Sequence, residues 1–296
     1  NLSLRIGDTP VLNQVNLSVE PGQILGVVGE SGSGKSLTAL SAMQLLPEGS
    51  ITSGSVRFGG DELLGSTDSD MQKLRGDDLA MIFQEPMTAL NPVHTIGDQI
   101  AEGIVLHTGA NRAEAKRQAV HMMERVGLPV AQFPLSRFPH ELSGGQRQRV
   151  MIAIACALRP KILIADEPTT ALDVTLQAQI LDLLRELVEE NEMGLVLISH
   201  DRRFLENLSR ATLWIDRGVT RQIDRGFSHF EAWRDEVLAL ESAGAYSMAM
   251  SSNYNTRGRA AEVLGYSPKM APRVCMSAAW GSAPLGAMAP AVHEES

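Results

Sequence analysis

Gly29-Glu30-Ser31-Gly32-Ser33-Gly34-Lys35-Ser36 matches the pattern G-x-x-x-x-G-K-[ST] of a phosphate-binding P-loop. The run before it, Gln23-Ile24-Leu25-Gly26-Val27-Val28, is short and apolar and reads as a buried strand. The run after it, residues 36–46, is free of Gly and Pro and sets Leu37, Leu40 and Met43 at helical spacing. A glycine-rich turn by itself can match by accident; strand, glycine turn and helix in succession give the match its meaning. Glycines let backbone N–H groups converge on phosphate oxygens, and the helix contributes about half a positive charge at its N-terminus. Lys35 would reach the β- and γ-phosphates, and the Ser36 hydroxyl would help to hold Mg²⁺. The stretch predicts a nucleotide site in an α/β fold.

Working outward, the 296 residues leave room for one large domain or two small ones. A formal net charge of -9 and a pI near 5.3 give no global attraction to nucleic acid, and no nucleic-acid partner is expected. Cys156 and Cys275 fit neither a metal site nor a disulfide framework, which suits a reducing compartment; Cys156 lies in an apolar helical run and is expected in the core. The longest apolar run, residues 150–158, falls short of the roughly 20 residues of a spanning helix, and no signal-peptide pattern opens the chain. The expectation is a protein that is soluble, or peripheral to a membrane through partners. Asn1 in place of a start methionine suggests a trimmed or incomplete N-terminus.

Apolar and polar residues alternate through Leu2, Leu4 and Ile6 and again through Val15, Leu17 and Val19, predicting two antiparallel strands ahead of the P-loop strand. Further strands are expected over 54–58, closed by Gly59-Gly60, and over 79–83, 161–165 and 194–199. Helices are expected over 68–75, 112–126, 146–158 and 174–191, the third with Ser143 as its N-cap. Strands alternating with helices predict a mainly parallel sheet. Residues 242–296 differ in kind: they hold all three tyrosines, lack Ile and Phe, and are mostly Ala, Ser, Gly, Met and Pro. Such a segment has little with which to offset its ordering entropy, so a disordered tail over 241–296 is expected, with a foreign or frame-shifted segment as the alternative.

Four features belong with the P-loop. Ile162-Leu163-Ile164-Ala165-Asp166-Glu167 is an apolar strand ending in two carboxylates. Beside the P-loop strand it would deliver Asp166 to the Mg²⁺ shell and aim Glu167 at the attacking water as general base. Leu142-Ser143-Gly144-Gly145-Gln146 starts a helix with a serine and two glycines, a second anion site unless it is an ordinary capped helix. One domain seldom needs two such helix starts for one nucleotide, which suggests a second nucleotide or a second copy of the chain. Gln84 and His200 each follow an apolar strand, and strands of one parallel sheet end on its ligand side. Either could be a plain surface residue, but position relative to the P-loop raises both: His200 could bond a γ-phosphate oxygen, and Gln84 the metal or the water.

Taken together, Gly29–Ser36, Gln84, Leu142–Gln146, Asp166-Glu167, Ala171-Leu172-Asp173 and His200 resemble, in order, the P-loop, Q-loop, signature, Walker B, D-loop and H-loop of an ABC ATPase. The resemblance covers residues 1–201 and narrows to the ATPases of oligopeptide, dipeptide and nickel importers. It is carried by the runs over 83–92 (Phe83-Gln84-Glu85-Pro86 through Asn91-Pro92), 139–153 and 165–174. The resemblance implies a RecA-like core with a mainly parallel sheet, an antiparallel N-terminal β part and a helical signature subdomain over roughly 95–158, within a domain spanning 1–240. It implies two ATPase domains, in a homo- or heterodimer, closing head to tail on two ATPs. Ser143, Gly144, Gly145 and Gln146 of one then cap the γ-phosphate on the other's P-loop, and Asp173 joins the nucleotide-binding set. It implies membrane permease subunits docking near Gln84–Asn91, an extracytoplasmic binding protein acting indirectly, and a place on the cytoplasmic face of the inner membrane.

Two departures stand out. ABC ATPases of this kind usually stack adenine on an aromatic residue a few positions before the Val11-Leu12 pair, but no Phe, Tyr or Trp precedes Phe58 and Ile6 is the nearest candidate. The second begins after His200. Residues 201–218 and 227–240 resemble the soluble ABC-F proteins that act on ribosomes, and the His-Pro-Tyr-Thr-like motif usual in the importers' C-terminal extension is absent. A helix over 203–210 and strands over 212–216 and 219–223 would still complete the fold. The leading expectation is an importer ATPase subunit; the alternatives are a ribosome-associated ATPase and a recombined chain that binds ATP without a transport partner.

Overall fold

The alternating segments do fold into strands and helices, and their order sorts them into separate sheets. The structure, a computed structural model, describes residues 1–239 other than Ala171, Arg217 and Glu231. Cys275 and the tail expected over 241–296 lie outside the described residues. Asn1–Asp235 make up one unit, and a second is counted from Glu236.

In chain order the strands and helices are β1 (Leu2–Ile6), β2 (Thr9–Val15), β3 (Ile24–Val28), α1 (Lys35–Ala42), β4 (Ser50–Ser53), β5 (Arg57–Phe58), β6 (Asp61–Glu62), α2 (Asp68–Leu74) and β7 (Leu79–Ile82). There follow α3 (Pro86–Ala89), α4 (Ile96–Thr108), α5 (Arg112–Arg125), α6 (Gly144–Cys156), β8 (Ile162–Asp166), α7 (Val174–Asn191), β9 (Gly194–Ile198), α8 (Arg202–Leu208), β10 (Ala211–Asp216) and β11 (Val219–Ile223). The main sheet runs β11-β10-β3-β9-β8-β7, parallel throughout except for the β10–β11 hairpin. Every residue of β3, β7 and β9 is buried, as a parallel sheet covered on both faces requires. Leu25, Val27, Ile164, Val196, Ile198 and Leu213 meet in its core. Cys156 is buried as expected, and burial pushes its thiol up to about 12, so it is an inert apolar filler.

The N-terminal strands differ from expectation in an instructive way. β1 and β2 are antiparallel, but with β4 on the other side of β1 they form a sheet of their own. β2 ends at Val15, so Leu17 and Val19 are not strand residues. The backbone of residues 16–18 is instead gripped by side chains of β11. Thr220 Oγ1 accepts from Asn16 N (2.7 Å) and donates to Asn16 O (3.0 Å), while Gln222 Oε1 and Nε2 do the same for Ser18 (3.1 and 3.3 Å). The strand expected over 54–58 is broken because Gly54 turns the chain at φ 104, with its α-carbon packed so close to Asn1 that a Cβ would lie 1.5 Å from the Asn1 carbonyl oxygen. Only Arg57–Phe58 remains extended, paired with Asp61–Glu62.

The helices keep their expected places with shifted ends. α1 stops at Ala42 because Gln44 adopts φ 50 and Leu45 N bonds back to Leu40 O (2.9 Å), a left-handed C-terminal cap. Arg75 then takes up the carbonyls of Met43 and Gln44 (2.8 and 3.0 Å). α6 starts at Gly144 rather than Gln146, with Ser143 as cap. α7 has the bounds expected. α4, not resolved as a helix in the sequence, is capped by Thr95 and packs with α5 and α6 as a helical subdomain. Arg149 of α6 ties that subdomain to the core, donating to Val126 O (2.7 Å) and to Gln179 Oε1 of α7 (2.8 Å).

Candidate active site at the carboxyl ends of the sheet

β3, β7, β8 and β9 run parallel, so the residues that follow them emerge on one edge of the sheet. Register matches Val27 with Ile198, Asp166 with Ile198 and Ala165 with Ile82. The P-loop, Gln84, Glu167 and His200 therefore leave the sheet from adjacent strands, as expected.

The P-loop is wound tightly around its own lysine. Lys35 Nζ donates to the carbonyls of Gly29 (2.9 Å) and Glu30 (2.8 Å), and Ser33 N closes a turn on Glu30 O (3.2 Å). Gly34 precedes α1 at φ 101, a left-handed conformation, and a Cβ there would come within 2.5 Å of Leu12 Cδ2. The left-handed backbone is what requires glycine here, since the leucine methyl could move aside. Among the described residues no side chain caps the start of α1, which leaves its first amides for an anion. Lys35 is only 6% exposed. Burial draws its pKa down, opposed by the negative charges of Glu167 and Asp166.

Asp166, 4% exposed, faces the Ser36 hydroxyl, and among the described residues its buried Oδ1 has no hydrogen-bond partner. Burial pushes its carboxyl above the usual range, and the Glu167 charge adds to this against the Ser36 bond and the Lys35 and His200 charges. An orphaned carboxylate oxygen next to a serine hydroxyl is the hard-oxygen donor set that Mg²⁺ takes, so these residues fit the ion. The Ser33 hydroxyl is likewise buried without a partner inside the loop.

Glu167 sits at the centre. Its backbone is left-handed at φ 48, held by Glu167 N to Ile198 O (2.9 Å) and Thr170 N to Glu167 O (3.1 Å). His200 Nε2 lies 3.0 Å from Oε1, while Gln84 Nε2 and Thr170 Oγ1 each lie 3.0 Å from Oε2. Gln84, Glu167 and His200, separated in sequence, are thus joined directly. Thr170 was missed by the sequence reading. The signal available was Pro168 just inside a four-residue turn that returns the hydroxyl to the carboxylate.

The second helix start does not join this group. Ser143 Oγ accepts from Gln146 N (3.4 Å) and Gln146 Oε1 from Ser143 N (2.9 Å), a capping box. Gly145 is packed against Leu176 and Gly144 is open. Among the described residues no hydrogen bond or ion pair joins 143–146 to 29–36. Asp173 caps α7 through Leu176 N (2.9 Å). Beside the P-loop, Asn13 N bonds Gly218 O (2.8 Å), and Ile6 packs half-buried with Leu4 and Leu12.

A family model described as ABC transporter matches residues 12–170. The chain belongs to the ABC transporter family. Among curated ABC relatives, it is 49% identical over 210 residues to YejF, an ABC transporter ATP-binding protein of Escherichia coli K12, covering 70% of this chain and 40% of that one. It is 49% identical over 217 residues to the glutathione import ATP-binding protein GsiA of Salmonella paratyphi A, covering 70% and 34%. It is 53% identical over 191 residues to a putative peptide import ATP-binding protein of Brucella abortus, covering 64% and 58%. The chain thus spans between 34% and 58% of the length of these relatives. Among solved ABC structures, the ATP-binding cassette MJ0796, a dimer in a post-hydrolysis state bound to ADP and Pi, matches with a TM-score of 0.65 and 27% identity. The match covers 76% of this chain and 98% of that one. The ABC ATPase fold expected from the sequence is the fold observed. Among the described residues no helix is long and apolar enough to cross a membrane.

Proposed function

We propose that this chain is the ATP-hydrolysing subunit of an ABC importer for di- or oligopeptides, its ATPase domain spanning 1–240. The observation that carries this reading is the meeting of Gln84, Glu167 and His200 beside Lys35 and Asp166 on adjacent strand ends. The import names of two relatives support the substrate class. Backbone amides of Gly29, Glu30, Ser31, Gly32, Ser33 and Gly34 would cradle the phosphates, and Lys35 would exchange its two carbonyl partners for phosphate oxygens. Ser36, Asp166 and Gln84 would hold Mg²⁺, which when bound offsets charge on the β- and γ-phosphates. Glu167 would accept a proton from water as the water oxygen bonds the γ-phosphorus and the bond to the β-phosphate oxygen breaks, releasing ADP and phosphate. His200 would steady a γ-phosphate oxygen.

Among the described residues Ser143–Gln146 make no bond to the chain's own P-loop, so they would serve the P-loop of a second ABC domain, with Asp173 beside them. Residues 84–91 would meet permease subunits at the cytoplasmic face of the inner membrane. Purification of the full chain from its native cells tests this: permease subunits should come with it, whereas ribosomes, or no partner, would overturn the transport assignment.

The nucleobase is expected to be loosely discriminated. Base–aromatic stacking is worth about 1–3 kcal/mol per base in nucleic-acid binding, and Ile6 offers no ring. ATP and GTP should be turned over at comparable rates in parallel phosphate-release assays; a strong ATP preference would show that another contact reads the base.

A further inference from the structure

Among the described residues the Glu167 carboxylate has three polar partners, and they differ in what else they have to do. Gln84 follows β7 and His200 follows β9, on elements remote in sequence from the carboxylate they touch. In the hydrolytic reading above, both turn to the nucleotide and its metal, so both must release Glu167 at the moment its direction matters. Thr170 has no such second task. Its hydroxyl lies 3.0 Å from Glu167 Oε2, and its own N–H closes the turn on Glu167 O at 3.1 Å, so hydroxyl and carboxylate travel as one piece.

That piece is firmly mounted. Glu167 N is bonded to Ile198 O of β9 (2.9 Å), Pro168 and Thr169 are buried, and Thr169 O accepts from Leu172 N (3.3 Å) and from Gln177 Nε2 of α7 (3.2 Å). With the backbone held on both sides, including the left-handed φ 48 at Glu167, the freedom left to the carboxylate is rotation about its side-chain bonds. A hydroxyl fixed on the same turn removes that freedom without competing for phosphate or metal.

We infer that Thr170 is a positioning residue for hydrolysis, its hydroxyl keeping the Glu167 carboxylate in one orientation after Gln84 and His200 have left it. The inference rests on the hydrolytic role proposed for Glu167. Thr170 is exposed, so its substitution does not open the core.

Thr170→Val keeps the shape and removes the hydroxyl; Thr170→Ser keeps the hydroxyl and removes a methyl. Steady-state ATP hydrolysis by the full-length chain should show kcat about tenfold lower for Thr170→Val with KM for ATP unchanged, the loss expected of a slightly misaimed catalytic group. Thr170→Ser should recover to within about twofold of the parent, a rescue that only the retained hydrogen bond explains. Parental turnover by Thr170→Val, a Ser variant as slow as the Val variant, or a rise in KM in step with the fall in kcat would overturn the inference while leaving the hydrolytic reading intact. A parent chain that binds ATP and never hydrolyses it would overturn both.

Discussion

Glu167→Gln should bind ATP as the parent does and hydrolyse it about 100- to 10,000-fold more slowly, the range that a positioned general base supplies. The substitution keeps the size and leaves one acceptor oxygen, while the new amide faces groups that adapt: the Thr170 hydroxyl can rotate to accept, and the Gln84 amide can turn over. The turn that carries the residue is held by backbone bonds to Ile198 and Thr170, which the side chain does not alter. Lys35, Ser36 and the loop amides are untouched, so binding survives while proton acceptance is lost. With hydrolysis stopped, ATP should hold two copies together. Phosphate release and size-exclusion chromatography in ATP measure both effects; hydrolysis at the parental rate would refute the assignment of Glu167 as base.

Lys35→Ala acts on the opposite half of the site and should weaken binding itself. The side chain is largely buried and its ammonium partly so, with burial already drawing its pKa down, and it is held by two carbonyls of the loop it would serve. Such a group is partly desolvated before the nucleotide arrives, so its pairing with phosphate carries a reduced further cost. Truncating one partner of a buried, hydrogen-bonded charge pair costs about 2–5 kcal/mol, roughly a 30- to 5,000-fold rise in Kd. The variant also leaves the Gly29 and Glu30 carbonyls without their donor, so the loop should loosen. Titration calorimetry with ATP reads the affinity; a Kd within about threefold of the parent would mean that the loop amides alone carry the phosphates.

The local signals proved legible where the chain carries its own punctuation. α7 begins at the residue after Asp173, an N-cap, and ends where Glu192 turns left-handed, so pattern and boundary coincide. α6 was recognised through Ser143, although counting from Gln146 overlooked that Gly144 and Gly145 are already helical beneath the cap. Gln84 and His200 could be named because each follows an apolar strand. What each touches could not be read, because a strand end specifies an edge of the sheet and not a neighbour. The strand expected through Leu17 and Val19 failed for a related reason. Alternation says that a segment is fit for a sheet, whereas the pairing was taken by the side chains of Thr220 and Gln222, some 200 residues away.

The amino-acid sequence by itself determined that this protein has a phosphate loop between a buried strand and a helix, carboxylates at the end of a second strand, and a second glycine-led helix start. These are local matters of residue type and spacing, and they survive in any arrangement of the elements. The tertiary structure alone decided that β10 lies against β3, that Gln84, Thr170 and His200 converge on one carboxylate, and that Ser143–Gln146 stay apart from the P-loop they resemble in chemistry. Strand order and contacts between distant loops are set by how whole faces bury one another, which no window of sequence contains. The outcome is a P-loop beside a carboxylate held by Gln84, Thr170 and His200, and the proposed mechanism draws on a second copy of the domain to complete the phosphate site.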